Sequence, residues 1–158
     1  MAVVQLWNVS LLERIMSRHT LFAYVDGADL EDVAGSLEAR FTQFVGSRRW
    51  VAGHASVVNQ RHGEETCTQP GDLPLWDLGL TLALPDAGAE SAAWFSDVEA
   101  VARFLGTLHG ECGRSFIIGM ADTETGISED LFDVSTASPD LGRLRAIIGV
   151  RDVQKNAG

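Results

Sequence analysis

Cysteine, lysine and long apolar runs are all scarce in this chain of 158 residues. The two cysteines, Cys67 and Cys112, are too few for the disulfide framework of a secreted scaffold. No apolar stretch approaches the roughly 20 residues that a membrane-spanning helix needs. The N-terminus lacks the basic start, apolar run and cleavage site of a secretory signal. These absences predict a cytoplasmic protein with no membrane partner.

Positive charge is also in short supply. The chain has 12 Lys and Arg against 22 Asp and Glu, and a formal net charge of −10. Nucleic-acid binding requires clustered basic residues, and anionic membrane surfaces attract basic segments, so neither is expected as a partner. The charge favours a basic protein partner, whose opposite field would speed encounter. Solubility alone is the alternative explanation for an acidic surface.

Catalytic and cofactor-binding motifs are missing as well. The chain has no phosphate-binding loop of the P-loop type, no dinucleotide fingerprint and no nucleophile elbow. No catalytic residue, cofactor or metal is therefore predicted, and the protein is not expected to be an enzyme. His62 with Cys67, and His109 with Cys112, lack the short CxxC spacing of a strong zinc signal. A small enzyme or ligand binder that uses these residues or His54 stays an alternative.

Five short segments have the patterns of β-strands. In residues 75–85, every second residue from Trp76 to Leu84 is large and apolar, which predicts one buried face. The TETG segment at 123–126 has the composition of a hairpin connection. The predicted strands are 21–25, 49–58, 75–85, 115–121 and 131–135.

Three longer segments have apolar residues at helical spacing. The predicted helices begin at Asp29, Ser96 and Ser138, each a residue type that caps helices. A short fourth helix is predicted at 10–19.

The order of these elements predicts an α+β protein. Its middle section, two strand–helix–strand units, suits a two-layer sandwich of ferredoxin-like type, with a mostly antiparallel sheet and helices on one face. Residues 1–150 are expected to form a single domain, and residues 151–158 a flexible tail.

The segment GMADTETGISEDLFDV, residues 119–134, contains five acids and no basic residue. It does not match a calcium loop, because Gly126 and Ile127 stand where an oxygen ligand and a glycine are required. Acid–base catalysis would need a pocket that shifts one pKa. The remaining interpretations are a negative surface for a basic partner and a solvated hairpin without a role.

The surrounding half of the chain is acidic too. Between Asp86 and Asp140 eleven acids face two arginines, a local charge of −9 within the total of −10. Trp94 lies in this half and would anchor an interface if exposed, whereas packing over the start of a helix is the alternative. The predicted partner-binding residues are Trp94, Asp122, Glu124, Glu129, Asp130 and Asp133.

Eleven of the twelve basic residues are arginine, a bias typical of proteins from GC-rich bacterial genomes. In its size, its acidity, this bacterial composition and its lack of catalytic motifs, the chain resembles the immunity proteins of bacterial polymorphic-toxin and contact-dependent systems. The resemblance covers the whole chain and depends on these properties, with no diagnostic residue. It implies a cognate toxin, bound so that its active site or substrate surface is blocked. A nuclease toxin is one expectation, because nucleases are basic. An unrelated interaction or adaptor domain, including one that pairs through a sheet edge, stays the alternative.

Overall fold

The computed structural model describes residues 19–27, 29–61, 76–85 and 91–148. The helix predicted at 10–19, apart from His19, and the tail predicted at 151–158 lie outside the described residues, as do His62 and Cys67. Five strands and three helices are described, and we number each kind in chain order. The elements are β1 (His19–Val25), α1 (Ala34–Ser47), β2 (Ala55–Arg61), β3 (Trp76–Ala83), α2 (Ser91–Cys112), β4 (Phe116–Asp122), β5 (Ser128–Val134) and α3 (residues 141–148).

The five strands form one antiparallel sheet in the order β2-β3-β1-β4-β5. Helix α1 packs on β2 and β3, and α2 packs on β4 and β5. The predicted α+β class is therefore confirmed. Because β1 lies at the centre of the sheet, its side chains contact neighbours on both sides and on both sheet faces.

The core lies between the sheet and the helices. Alternate residues of β1 and β4 are buried, and the alternation predicted for 75–85 is confirmed at Leu78, Leu80 and Leu82 of β3. Aromatic rings fill the space beneath α1, where Phe41 meets Phe104 and Phe116 in edge-to-face contacts. The buried side chains from the helices include Leu37, Phe41, Val98, Val101, Leu105, Leu108 and Leu144.

The helix starts differ from the prediction. Helix α1 begins at Ala34 instead of following Asp29, and no side chain caps it. The carbonyl of Leu30 accepts hydrogen bonds from the N–H groups of Val33 and Ala34, so a tight turn precedes the helix. Asp29 instead binds Arg114, whose Nη1 lies 3.1 Å from Asp29 Oδ1. The carboxylate of Asp29, which was predicted to cap the helix, thus pairs with a residue 85 positions away in sequence.

The other two helices were also misplaced at their N-termini. Helix α2 begins at Ser91, so Ser96 and Trp94 lie inside it. The residue that caps α3 is Asp140 and not Ser138, because Asp140 Oδ1 accepts the N–H of Arg143 at 3.1 Å. Local spacing alone did not distinguish true caps from nearby residues of the same chemical type.

The predicted strand at 49–58 is wrong in its first half, and the cause is a buried carboxylate. Asp97 is 0% exposed, and its Oδ2 accepts the N–H groups of Val51 and Ala52, both at 2.7 Å. Its Oδ1 accepts hydrogen bonds from Arg48 at 2.9 and 3.2 Å. Residues 48–52 are therefore held against α2 by hydrogen bonds to Asp97 and join no strand ladder. Strand β2 begins only at Ala55.

Candidate functional site

The acidic segment forms a β-hairpin, as its TETG connection predicted. The N–H of Asp122 donates to the carbonyl of Ile127, and the N–H of Gly126 donates to the carbonyl of Asp122, both at 2.8 Å. Gly126 has a φ of +77°, a backbone conformation that glycine adopts without strain. Asp122 Oδ1 accepts the N–H groups of Glu124 and Thr125, which is an Asx turn. Asp122 therefore helps to build the turn.

The other four predicted acids of the hairpin are exposed, and three of them, Glu129, Asp130 and Asp133, lie on β5. In the described order of strands β5 is an edge of the sheet. Acidic side chains on an edge strand also discourage pairing with another sheet, which is a structural explanation for them. The side chains of Asp130 and Asp133 make no hydrogen bond or ion pair within the described part of the chain.

Several acids outside the hairpin have structural partners. Asp97 is buried, and Asp140 caps α3. Glu111 pairs with Arg40 at 3.1 Å, and Glu99 pairs with both Arg103 and Arg145. The surplus negative charge expected for residues 86–140 is therefore concentrated on the hairpin, as far as the structure describes that half of the chain.

Trp94 is placed inside α2 and is 8% exposed. Its ring meets that of Phe95 at a centroid distance of 6.1 Å, and both residues belong to the core. The packing alternative considered for Trp94 is thus the arrangement observed. A different apolar side chain is exposed at the tip of the hairpin, where Ile127 has 62% of its surface accessible.

The histidine and cysteine candidates are not brought together where the structure describes them. His54 is exposed on the chain that leads into β2. A ring nitrogen of His109 lies 2.8 Å from the carbonyl oxygen of Arg114, at the C-terminal end of α2. Cys112 is exposed at the end of the same helix. Among the described residues no three potential metal ligands of the His, Cys, Asp and Glu types cluster.

The sheet face that points away from the core carries two aromatic residues that the sequence reasoning did not single out. Phe22 and Tyr24 of β1 lie on this face, and their rings stack with centroids 5.1 Å apart. In register, Phe22 is flanked by Thr81 and Gly119. The segment LFAYV, residues 21–25, did indicate this arrangement. Both alternating sets of its residues are apolar or aromatic, which is typical of a strand whose two faces are covered.

A concave region of about 750 Å³ opens over this aromatic pair. Its described lining includes three carboxylates, those of Asp26, Asp77 and Asp130, and no Lys or Arg. Burial raises the pKa of Tyr24 to about 12, with a smaller contribution from the negative charge of Asp77. The region thus combines an aromatic floor with a negative rim, and Asp130 belongs both to this rim and to the acidic hairpin.

A smaller hollow of about 230 Å³ lies at the opposite end of β1. His19 and Asp122 face each other there, with Nε2 and Oδ2 3.9 Å apart. Its other described lining residues are Met120, Thr125, Ile127 and Glu129. The tip of the hairpin therefore borders a second depression.

Comparisons of the chain with protein-family models, curated proteins and solved structures found no match. Within the described ranges, no helix has the length and apolarity that crossing a membrane requires.

Proposed function

We propose that this protein is a cytoplasmic immunity protein that binds a basic cognate toxin through its acidic hairpin and blocks the toxin's active surface. The partner-binding surface consists of Glu124, Ile127, Glu129, Asp130 and Asp133, which lie on both sides of the edge strand and its turn. We call this surface the hairpin face. Asp122 shapes its turn. Trp94 is left out of this face because its ring is buried.

The observation that carries the proposal is the contrast between this hairpin and the acids around it. Those of α2 and α3 are buried, paired with arginine or used as a cap. Asp130 and Asp133 are exposed, and no described side chain neutralises them. An unneutralised acidic surface steers a basic partner and fixes its orientation.

Ile127 adds an argument that edge protection does not supply. Protecting a sheet edge from pairing needs charge and has no use for an exposed branched apolar side chain. A protein interface commonly places an apolar anchor among polar groups at its rim. Ile127 is exposed at the tip and lines the smaller hollow together with Asp122 and Glu129, so an apolar side chain lies among carboxylates there.

The finer description of the fold belongs to the same proposal. The chain order β1-α1-β2-β3-α2-β4 is that of a ferredoxin-like unit, and β5 would be an edge strand added beside β4. In this description the hairpin face is an addition to a common scaffold. Additions of this kind vary without disturbing the core, which suits a surface that must recognise one partner.

Co-expression with the neighbouring reading frame tests the function. The neighbour is expressed alone and then together with this protein, and growth is measured. We expect the neighbour to arrest growth and this protein to restore it. A harmless neighbour, or toxicity that this protein leaves unchanged, would overturn the immunity role and leave an unrelated interaction domain as the explanation.

Charge reversal then tests the surface. Asp130→Lys with Asp133→Lys should abolish the rescue, because both positions are exposed and have no described structural partner. The matched control is Glu31→Lys with Asp32→Lys, in the turn before α1. These residues are also exposed, and Glu31 contributes only a surface ion pair with Arg61. Rescue by the control but not by the hairpin variant locates the partner at the hairpin, whereas equal rescue by both would remove the hairpin from the proposal.

A further inference from the structure

We infer that the concave sheet face over Phe22 and Tyr24 binds a cationic side chain, arginine in the first place, that the basic partner presents. This inference rests on the proposed function and deepens it, because it names the chemistry of one contact. The occupant is an alkylguanidinium or alkylammonium group whose charge meets the acidic rim while its body lies on the aromatic floor.

The floor is built by the register of the sheet. Phe22 lies beside Gly119, and a side chain at Gly119 would collide with the Phe22 ring, since an added Cβ would be 2.1 Å from Cζ. The ring thus occupies the space above a residue that has no side chain. Tyr24 stacks on Phe22 with an angle of 28° between the rings. A cation attracted by the negative face of aromatic rings finds a broad, fixed surface there.

The rim supplies complementary charge. Asp26 and Asp130 are exposed at the margin of the concave region, and Asp77 lies close enough to Tyr24 to contribute to its raised pKa. The described lining contains no Lys or Arg, and the side chains of Asp26 and Asp130 make no ion pair with the described residues. Arg61 lies 5.0 Å from the ring centre of Trp76 at the border of this region, so Trp76 already has a cation and is not part of the inference.

Continuity with the hairpin face favours a protein side chain over a free small molecule. Gly126, Ser128 and Asp130 line the concave region and also belong to the hairpin. A basic protein bound at the hairpin therefore has the opening within reach of a long side chain. Arginine fits this position well, because it is planar, weakly hydrated and prone to stack on aromatic faces.

The single tyrosine of the chain makes a direct test possible. Growth with 3-fluorotyrosine places one ¹⁹F label in the full-length protein, at Tyr24. The probe is a short arginine-containing peptide, titrated at constant ionic strength, and its comparison is the same peptide with citrulline, which is neutral and of similar shape. We expect a saturable ¹⁹F shift with the arginine peptide and none with the citrulline peptide. Equal shifts, or no shift, would overturn the inference.

Matched variants assign the binding to named residues. Phe22→Leu keeps an apolar side chain but removes a ring, and should weaken arginine binding roughly 3- to 30-fold, the range of a cation–π contact. Asp130→Asn should weaken it as well, whereas Asp32→Asn, the same change at a remote exposed site, should not. A circular dichroism melt of each variant confirms that the fold is kept. Unchanged affinity in Phe22→Leu, with the fold retained, would contradict the inference.

Two other occupants give distinct and contrary results. If a second copy covers this face, the ¹⁹F signal will move with protein concentration in the absence of peptide. If the chain itself covers it, the signal will be insensitive to a soluble paramagnetic relaxation agent. Either result would overturn the inference. Because the titration does not use the toxin, it can fail while the growth rescue succeeds, and it can succeed while the rescue fails.

Discussion

At the scale of single residues, Asp97 shows how one buried carboxylate fixes a loop. It is fully buried and accepts hydrogen bonds from two backbone N–H groups and from Arg48. The charge is acceptable in the interior because the guanidinium and the N–H groups replace water. The carboxylate therefore determines where the chain between α1 and β2 lies.

Removing this carboxylate should be among the most damaging single changes. We expect Asp97→Ala to lower the free energy of unfolding by about 3–5 kcal/mol, because it leaves Arg48 and two N–H groups without their acceptor. Asp97→Asn keeps one acceptor oxygen and should cost less. Urea denaturation followed by tryptophan fluorescence measures both. A loss below about 1 kcal/mol in the alanine variant would contradict this account.

Tyr24 offers a spectroscopic prediction, because no other tyrosine complicates its titration. The phenolate absorbance of the folded protein should have its midpoint near pH 12 instead of 10. The pKa is raised on folding, so the associated stability is fully present below pH 10 and is lost as the pH rises towards 12. Asp77→Asn should lower the midpoint only in part, since burial is the larger cause. A midpoint near 10 in the folded protein would refute the burial of this ring.

At the scale of the elements, close packing of strands depends on glycine at one position. Gly79 of β3 lies opposite Tyr24 of β1, and an added Cβ would be 1.9 Å from the carbonyl oxygen of Ala23. That oxygen belongs to the backbone of the central strand, so it cannot move away without breaking the ladder. The close approach of β1 and β3 is thus available only to glycine.

A pair of glycine substitutions tests this packing. Gly79→Ala should destabilise the protein by at least about 2 kcal/mol, because the strands must separate or bend. Gly35→Ala in α1 is the control, since a Cβ there meets nothing within 4 Å. It should be neutral or stabilise the helix by up to about 1 kcal/mol. Thermal melts of the two variants should move in opposite directions or at least differ widely, and equal losses would refute the argument.

The elements that were predicted correctly from the sequence are those determined by residues close together in the chain. Alternation from Leu78 to Leu82 marked a buried strand face, and TETG marked a turn. The wrong predictions concern residues that bind a partner distant in sequence. Asp29 accepts a hydrogen bond from Arg114 and does not cap a helix. The N–H groups of Val51 and Ala52 donate to Asp97 and do not join a strand ladder. Neither of these long-range interactions can be predicted from the spacing of residues that are close in sequence.

The same distinction between local and long-range information applies to the candidate site. The acidic hairpin was visible in sequence because its residues are contiguous, and the hairpin that contains them was correctly predicted. The aromatic sheet face was not visible, because it needs Phe22 and Tyr24 from β1 to meet Asp77 from β3 and Asp130 from β5. Only the order of the strands brings these residues to one surface. A sequence reading could have noted the two-sided apolar pattern of β1 but not its neighbours.

At the scale of the whole molecule, the two explanations for the acids of β5 predict different behaviour. If they only protect an exposed edge, neutralising them invites pairing between sheets of two molecules. If they form a partner surface, neutralising them mainly slows encounter with a basic protein, because steering depends on charge. Asp130 and Asp133 suit this comparison, since neither has a described partner whose loss would confuse the result.

Asp130→Asn with Asp133→Asn should therefore keep the oligomeric state of the parent, with stability within about 0.5 kcal/mol of it, as exposed substitutions usually do. If the protein binds the basic toxin that we propose, its association rate with that toxin should fall about tenfold at low salt, and the difference should shrink as salt screens the parent's charges. Size-exclusion chromatography with light scattering measures the first property, and stopped-flow kinetics at several salt concentrations measures the second. A variant that dimerises while its association rate is unchanged would assign these acids to edge protection alone.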